Sequence, residues 1–294
     1  MKYRNAWMKK KNENKIFSNA MVLPTIIVLL LMTAYPLIFT LYYSFTDFNL
    51  LKKETSIVGL ENYLELLKNE YFRQAILNTV KFTVLTVFFE IIGGFLLAAF
   101  VNSLKFGQKV MRTLLLLPYL FPAVTVALSW RMMLSANYGI VNQVLEVLNC
   151  PVYNWFSDIN TAFKMLVLID VWQNTPFVFL LLYASLQSVS ESQYEAAKID
   201  GANRIQSILY VTIPNIKNSI VLCALLRTID SFRVFEKVNL LTGGGPANST
   251  STITQYLYNY GIKSLKFGFG SAGSIIMTIL VLILSGFYIK RTME

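Results

Sequence analysis

Histidine is absent from the chain, and cysteine occurs only at Cys150 and Cys223. A zinc site, a cysteine–histidine nucleophile and a histidine general base therefore have almost nothing to be built from. Neither a metal site nor a catalytic residue is expected. Two distant cysteines also give no basis for a disulfide-stapled secreted fold. Charge is scarce, at 14% of 294 residues, against about 25% in a typical soluble chain. Hydrophobic residues reach 55%, with 21 Phe, 16 Tyr and 10 Met. Disorder and collagen-like repeats are thereby excluded as well. Together with a mean hydropathy of +0.51, this describes an all-α integral membrane protein.

A bilayer core needs about 20 mostly apolar residues per helix, and six stretches qualify. They run Ala20 to Phe45, Thr79 to Val101, Thr113 to Leu134, Phe163 to Leu186, Ile216 to Val238 and Phe269 to Ile289. The third contains Pro118 and Pro122, so a kinked helix is expected there; the fourth contains Pro176. The fifth is interrupted by Arg227, Asp230, Arg233, Glu236 and Lys237. The first follows Lys9, Lys10, Lys11 and Lys15 but is too long for a signal-peptide core. It reads as an uncleaved membrane helix.

Charge sets the orientation. Lys2, Arg4, Lys9, Lys10, Lys11 and Lys15 precede the first span, Lys105, Lys109 and Arg112 join spans two and three, and Lys290 and Arg291 follow the last. The loop from Ser135 to Ala162 has neither Lys nor Arg. By the positive-inside rule both termini are cytoplasmic. The expected organisation is a cytoplasmic basic tail over 1–19, a six-helix transmembrane domain over 20–289 and a cytoplasmic tail over 290–294. The formal charge of +10 then sits mostly beside anionic lipid. No folded soluble face exists to carry a nucleic-acid footprint.

The outer loop from Asp47 to Arg73 holds a short amphipathic helix over Gly59 to Leu67. The outer loop from Thr242 to Gly268 opens Thr242-Gly243-Gly244-Gly245-Pro246. A phosphate-binding loop would need Lys-Ser/Thr after the glycines, and Pro246-Ala247-Asn248-Ser249 does not supply it. The expectation is a tight turn re-entering the membrane, then a helix near Ser251 to Tyr260. The inner loop over 187–215 is long for a simple connection. Ser190 and Gln193 have capping-box spacing, and Asp200-Gly201 stops the helix they begin. A second short helix over Ala202 to Val211 runs to Pro214. The expected result is a helix-turn-helix on the cytoplasmic face, with small residues where another protein can approach. A purely structural elbow is the alternative.

Those residues also carry a resemblance. Glu195-Ala196-Ala197, Gly201 and Val211-Thr212-Ile213-Pro214 resemble the EAA motif of bacterial ABC-importer permeases, with Val211 and Ile213 as conservative replacements. Leu117-Pro118-Tyr119 with Pro122, and Leu241 to Pro246, are similar to the carbohydrate-uptake branch. That branch includes the larger maltose-transporter membrane subunit and the first glycerol-phosphate permease. The resemblance implies a multi-pass subunit of a bacterial inner (plasma) membrane. It also implies a second homologous permease, two copies of a cytoplasmic ABC ATPase, and an extracytoplasmic solute-binding protein. ATP and Mg would be bound by the ATPase and no cofactor by this chain. Glu195, Ala196, Ala197, Asp200, Gly201 and Pro214 would form the coupling contact. Carried over by position, a sugar pathway would fall near Tyr119, Gln173, Asn174, Phe177, Arg227 and Ser231.

The residues themselves allow more than one role. Ionisable groups in a bilayer mark a bundle interior or a watery cavity. Trp172, Gln173 and Asn174 supply an aromatic platform and amides within one turn, as sugar recognition requires. Arg227, Asp230 and Glu236 could equally form ion pairs that fasten a membrane partner. Glu90, near Gly93-Gly94, reads as a buried hydrogen-bonding partner, Cys223 as a small core residue, and Trp130 and Arg131 as markers of the outer interface. A gradient-driven secondary transporter is the competing function, but repeated halves are not evident. A membrane-embedded enzyme lacks the residues. Disaccharide, oligosaccharide, acidic sugar and glycerol-phosphate-like solute all stay open.

Overall fold

The structure, a computed structural model, describes the backbone of residues 2–52 and 54–293 and the side chains of 21–52 and 54–290. Met1, Glu294 and the side chains of the basic N-terminal tail and of Arg291 lie outside the described residues.

The elements run α1 (Lys2–Ser44), α2 (Glu61–Lys68), α3 (Glu70–Ser103), α4 (Gln108–Leu120), α5 (Ala123–Met133), α6 (Ile140–Val147) and α7 (Ile159–Gln187). Then come α8 (Glu191–Ile199), α9 (Arg204–Ser207), α10 (Ile213–Phe232), α11 (Glu236–Leu241), α12 (Ile253–Leu257) and α13 (Phe267–Met293). Widened π-turns over Ile208–Thr212 and Tyr258–Ile262 join α9 to α10 and extend α12. Among the described residues, five continuous helical segments are long and apolar enough to cross a membrane, or six if the bent pair α4–α5 is one crossing.

The pair α3–α7 forms the centre. The two helices approach closely at Gly94, where a Cβ would lie 2.7 Å from Val178 Cγ1 and 2.9 Å from the Phe179 backbone nitrogen. Only a residue without a side chain lets the two backbones meet there. Three apolar clusters surround this pair. Phe82, Leu166 and Val238 anchor one, Leu66, Phe72 and Tyr256 another, and Phe179, Leu182 and Ile216 the third. Helix α1 packs on α13 at the edge of the bundle. No residue over 21–43 is buried, as suits a lipid-facing helix. The amphipathic helix of the first outer loop is present as α2, held by Asn62 Nδ2 donating to the Ser44 and Thr46 carbonyls at 3.0 and 2.8 Å.

Two spans differ from expectation. The third is broken rather than kinked, with α4 and α5 meeting at 88°. Pro122 disfavours helical geometry at the residue before it, and Phe121 is extended (φ −78°, ψ 137°). The break frees a carbonyl that lipid could not satisfy. Gln173 Nε2 on α7 donates to it at 2.9 Å. The fifth span ends at Phe232 instead of Val238, and α11 follows after a gap at 233–235. Here the freed carbonyl is that of Val234, which accepts from the hydroxyls of Thr252 and Thr254. The turn at Gly243 and Gly244 takes positive φ, +64° and +93°. It brings the chain back to α12, which starts two residues later than expected.

Candidate functional site: a polar cavity beside a broken span, and a helical hairpin

The polar centre is assembled from four helices. Glu90 on α3 is fully buried, as are Asp170 on α7, Arg227 on α10 and Lys237 on α11 to within a few per cent. Arg227 grips Glu90 with two nitrogens, Nε to Oε2 at 2.7 Å and Nη2 to Oε1 at 3.1 Å. Nη2 also reaches Asp170 Oδ2 at 3.3 Å, and Nη1 reaches Asp230 Oδ2 at 3.4 Å. Lys237 Nζ donates to Asp170 Oδ1. Each buried charge thus meets an opposite one, the condition under which ions are tolerated away from water. The reading of Glu90 as a buried partner holds. Arg227 and Asp230 pair within this chain.

Beside the network lies a cavity of about 320 Å³ with Tyr119, Asn174, Arg227 and Ser231 among its walls. Four of the six expected pathway residues therefore come together. Gln173 does not: it is buried and spends its amide nitrogen on the break at Phe121. Phe177 lies outside the wall but stacks on Tyr119, with ring centroids 5.4 Å apart at 28°. The expected Trp172-Gln173-Asn174 group is dispersed. Successive residues on a helix point about 100° apart, and Trp172 sits edge-on to Trp130 in an apolar groove with Phe89 and Lys164. Asn174 Nδ2 donates to the Asp170 carbonyl and carboxylate, both at 3.1 Å.

Asp170 and Arg233, which the sequence offers among the ionisable groups of spans four and five for a watery cavity or an anionic sugar, also line it; Lys237 is the wall that sequence reasoning passed over. The available signal was the charge run Arg233 to Lys237 at the end of an apolar span. Such a run fits the membrane only where the helix stops and the backbone lines a cavity. The break and the end of the fifth span both supply walls, since Tyr119 and Ala123 flank the first and Arg233, Val234 and Glu236 follow the second. Arg131 is exposed, and its Nη1 donates to the Leu240 carbonyl at 2.9 Å.

At one end of the bundle, α8 and α9 form a hairpin. The expected capping box at Ser190 is absent: its hydroxyl pairs with Ser192 Oγ at 2.8 Å and bonds no backbone amide. The box stands instead at Asn203 and Gln206, each side chain accepting from the other's backbone N–H at 2.9 and 2.8 Å. Helix α8 closes with the Gly201 N–H on the Lys198 carbonyl (3.1 Å) and the Ala202 N–H on the Ala197 carbonyl (2.9 Å). That double closure requires a left-handed residue, and Gly201 has φ +77°. Pro214 does not end the second helix; it sits in the first turn of α10, where the missing N–H costs least. The preceding π-turn merges α9 with the span.

Tyr194 hydroxyl meets Thr212 Oγ1 at 3.1 Å, and Asn215 Nδ2 donates to Gln193 Oε1 at 2.7 Å, tying α8 to the base of α10. Glu195, Ala196, Asp200, Gly201 and Pro214 are exposed, and Ala197 is half-buried. Ile199 and Tyr210 are 86% and 77% exposed.

Residues 90–291 match the family model described as binding-protein-dependent transport system inner membrane component. The trehalose/maltose transport system permease protein MalF of Thermococcus litoralis is 35% identical over 97% of both chains. The sulfoquinovosyl glycerol transport system permease protein SmoG of Agrobacterium fabrum is 32% identical, over 94% of this chain and 90% of that one. Among solved structures, a chain of a bacterial ABC transporter involved in the import of the acidic polysaccharide alginate superposes with a TM-score of 0.84. It is 25% identical and 98% of each chain is covered.

Proposed function

The chain belongs to the binding-protein-dependent inner membrane transport components, and on that premise we propose that it is one of two homologous permeases in an ATP-driven importer of a sugar or oligosaccharide. Its relatives are transport permeases rather than enzymes. The observation that carries the proposal is one polar cavity lined by a broken span and by the end of another. Non-helical backbone is tolerated in a membrane only where it is buried in protein or lines a water-filled cavity. Tyr119 offers an aromatic face, and Asn174, Ser231, Asp230 and Glu236 offer acceptors and donors for hydroxyl groups. This chain supplies one wall of the passage, and a second permease supplies the other.

The hairpin is the coupling element. Its exposed Ile199, Ile205 and Tyr210 need a protein cover, and a cleft on a cytoplasmic ATPase subunit provides it. Gly201 sets the turn, and Glu195 with Ala196 and Ala197 forms the surface that enters the cleft. Because α9 runs through the π-turn into α10, a push on the hairpin is delivered to the helix bearing Arg227 and Ser231. No Walker sequence is present, so two ATPase copies bind ATP and Mg, and an extracytoplasmic binding protein delivers the solute. Both termini face the cytoplasm, the side on which the hairpin projects.

The test is affinity purification of the chain from its native membrane in mild detergent, with mass spectrometry of what accompanies it. A second EAA-bearing permease and a Walker-motif ATPase are expected. Recovery of the chain alone, or only with copies of itself, would refute the assembly.

A further inference from the structure

From the state of the charged groups around the cavity, we infer that this wall of the passage is built for an uncharged saccharide and discriminates against uronate or sulfonate sugars. The inference rests on the importer reading above and names the substrate class of the same site.

The cavity shows Arg227, Arg233 and Lys237, which at first sight is a cradle for an anion. Two of the three are already committed. Arg227 is 4% exposed and spends its fork on Glu90, with its remaining edges on Asp170 and Asp230. Lys237 is 5% exposed and spends its ammonium on Asp170. A solute carboxylate could recruit either only by displacing a buried carboxylate that would then be left unpaired, a costly exchange.

Arg233 is the cation left open to solvent, and no ion pair holds it among the described residues. Yet Asp230 and Glu236 line the same cavity three residues before and after it. An anion drawn to Arg233 therefore meets two carboxylates. The wall carries three acids against three bases, with Glu90 behind them on Arg227, so no positive excess remains. What is left suits hydroxyls: carboxylates accept their hydrogens, the free oxygen of Asn174 accepts another, and the Tyr119 ring packs on a sugar's apolar face.

The test uses the complete importer in vesicles, with ATP inside and binding protein outside. It compares uptake of neutral di- and trisaccharides, such as trehalose and maltotriose, with that of trimannuronate and a sulfonated sugar. Neutral uptake is expected to exceed anionic uptake by about tenfold or more. In the Asp230→Asn, Glu236→Gln double variant, the ratio of anionic to neutral uptake is expected to rise by about the same factor. A ratio is used because it does not depend on how much complex assembles. Preferred uptake of the anionic sugars, or a ratio unmoved by the double variant, overturns the inference and leaves a sugar importer standing. Uptake of neither class by an assembled complex defeats the sugar reading and this inference together.

Discussion

Arg227 on α10 and Glu90 on α3 meet through two parallel hydrogen bonds, 2.7 and 3.1 Å long, although 137 positions separate them in sequence. Through the same guanidinium, Asp170 on α7 joins them at 3.3 Å. Three membrane-crossing helices are thus fastened at one buried point beside the cavity, and the fastening predicts its own failure modes.

Replacing Arg227 with Ala leaves Glu90 buried and without a cation. Removal of one partner of a buried pair typically costs about 3–5 kcal/mol. The thermal midpoint of the detergent-solubilised complex, followed by size-exclusion chromatography, should fall sharply. Arg227→Lys should recover only part of the loss, because a point charge cannot make both bonds to Glu90.

Gly94→Ala drives a methyl into Val178 and the backbone nitrogen of Phe179. Overpacking of this kind costs roughly 1–3 kcal/mol, and the same thermal assay should register it. Gly286→Ala on α13 is the control, since nothing lies within 4 Å of the added Cβ. It should be silent.

At Gly201 a Cβ would meet nothing within 4 Å of the chain, but φ is +77°. The requirement is therefore conformational within this subunit. Asn tolerates left-handed geometry and Val does not, by about 1–2 kcal/mol. Uptake per unit of membrane-inserted protein should survive Gly201→Asn far better than Gly201→Val. Equal loss in both would mean that the glycine is needed for close approach of the ATPase.

Tyr119 stacks on Phe177 and faces the cavity. Tyr119→Ala should raise the half-saturating solute concentration for uptake about tenfold, the cost of losing roughly 1.4 kcal/mol of ring contact. Tyr119→Phe keeps the ring and should change it far less. A matched loss in both variants would point to the hydroxyl instead.

Much of this was legible in the chain itself. The spans follow from hydropathy, the turn at Gly201 from local stop signals, and the burial of Glu90 from the cost of a lone carboxylate in lipid. What could not be read locally depends on partners far away in sequence. Whether Pro122 kinks or breaks a span turns on Gln173 satisfying the Phe121 carbonyl from 52 residues away. The end of the fifth span likewise turns on Thr252 and Thr254 taking the Val234 carbonyl. Trp172 looked like a sugar platform because it neighbours Asn174, yet helical rotation sends it to a different face. Ser190 and Asn203 both have capping-box spacing; the Ser190 hydroxyl pairs with Ser192 instead, and only at Asn203 are both capping bonds made.

The central claim is that this passage is driven by ATP through its hairpin. Its most direct test is solute uptake into vesicles holding the complete complex, with ATP supplied or withheld in the lumen and ion gradients collapsed by ionophores. The account predicts uptake that requires lumenal ATP, survives the ionophores and is lost in Gly201→Val. Uptake that proceeds without ATP and stops when the gradients are collapsed would contradict it.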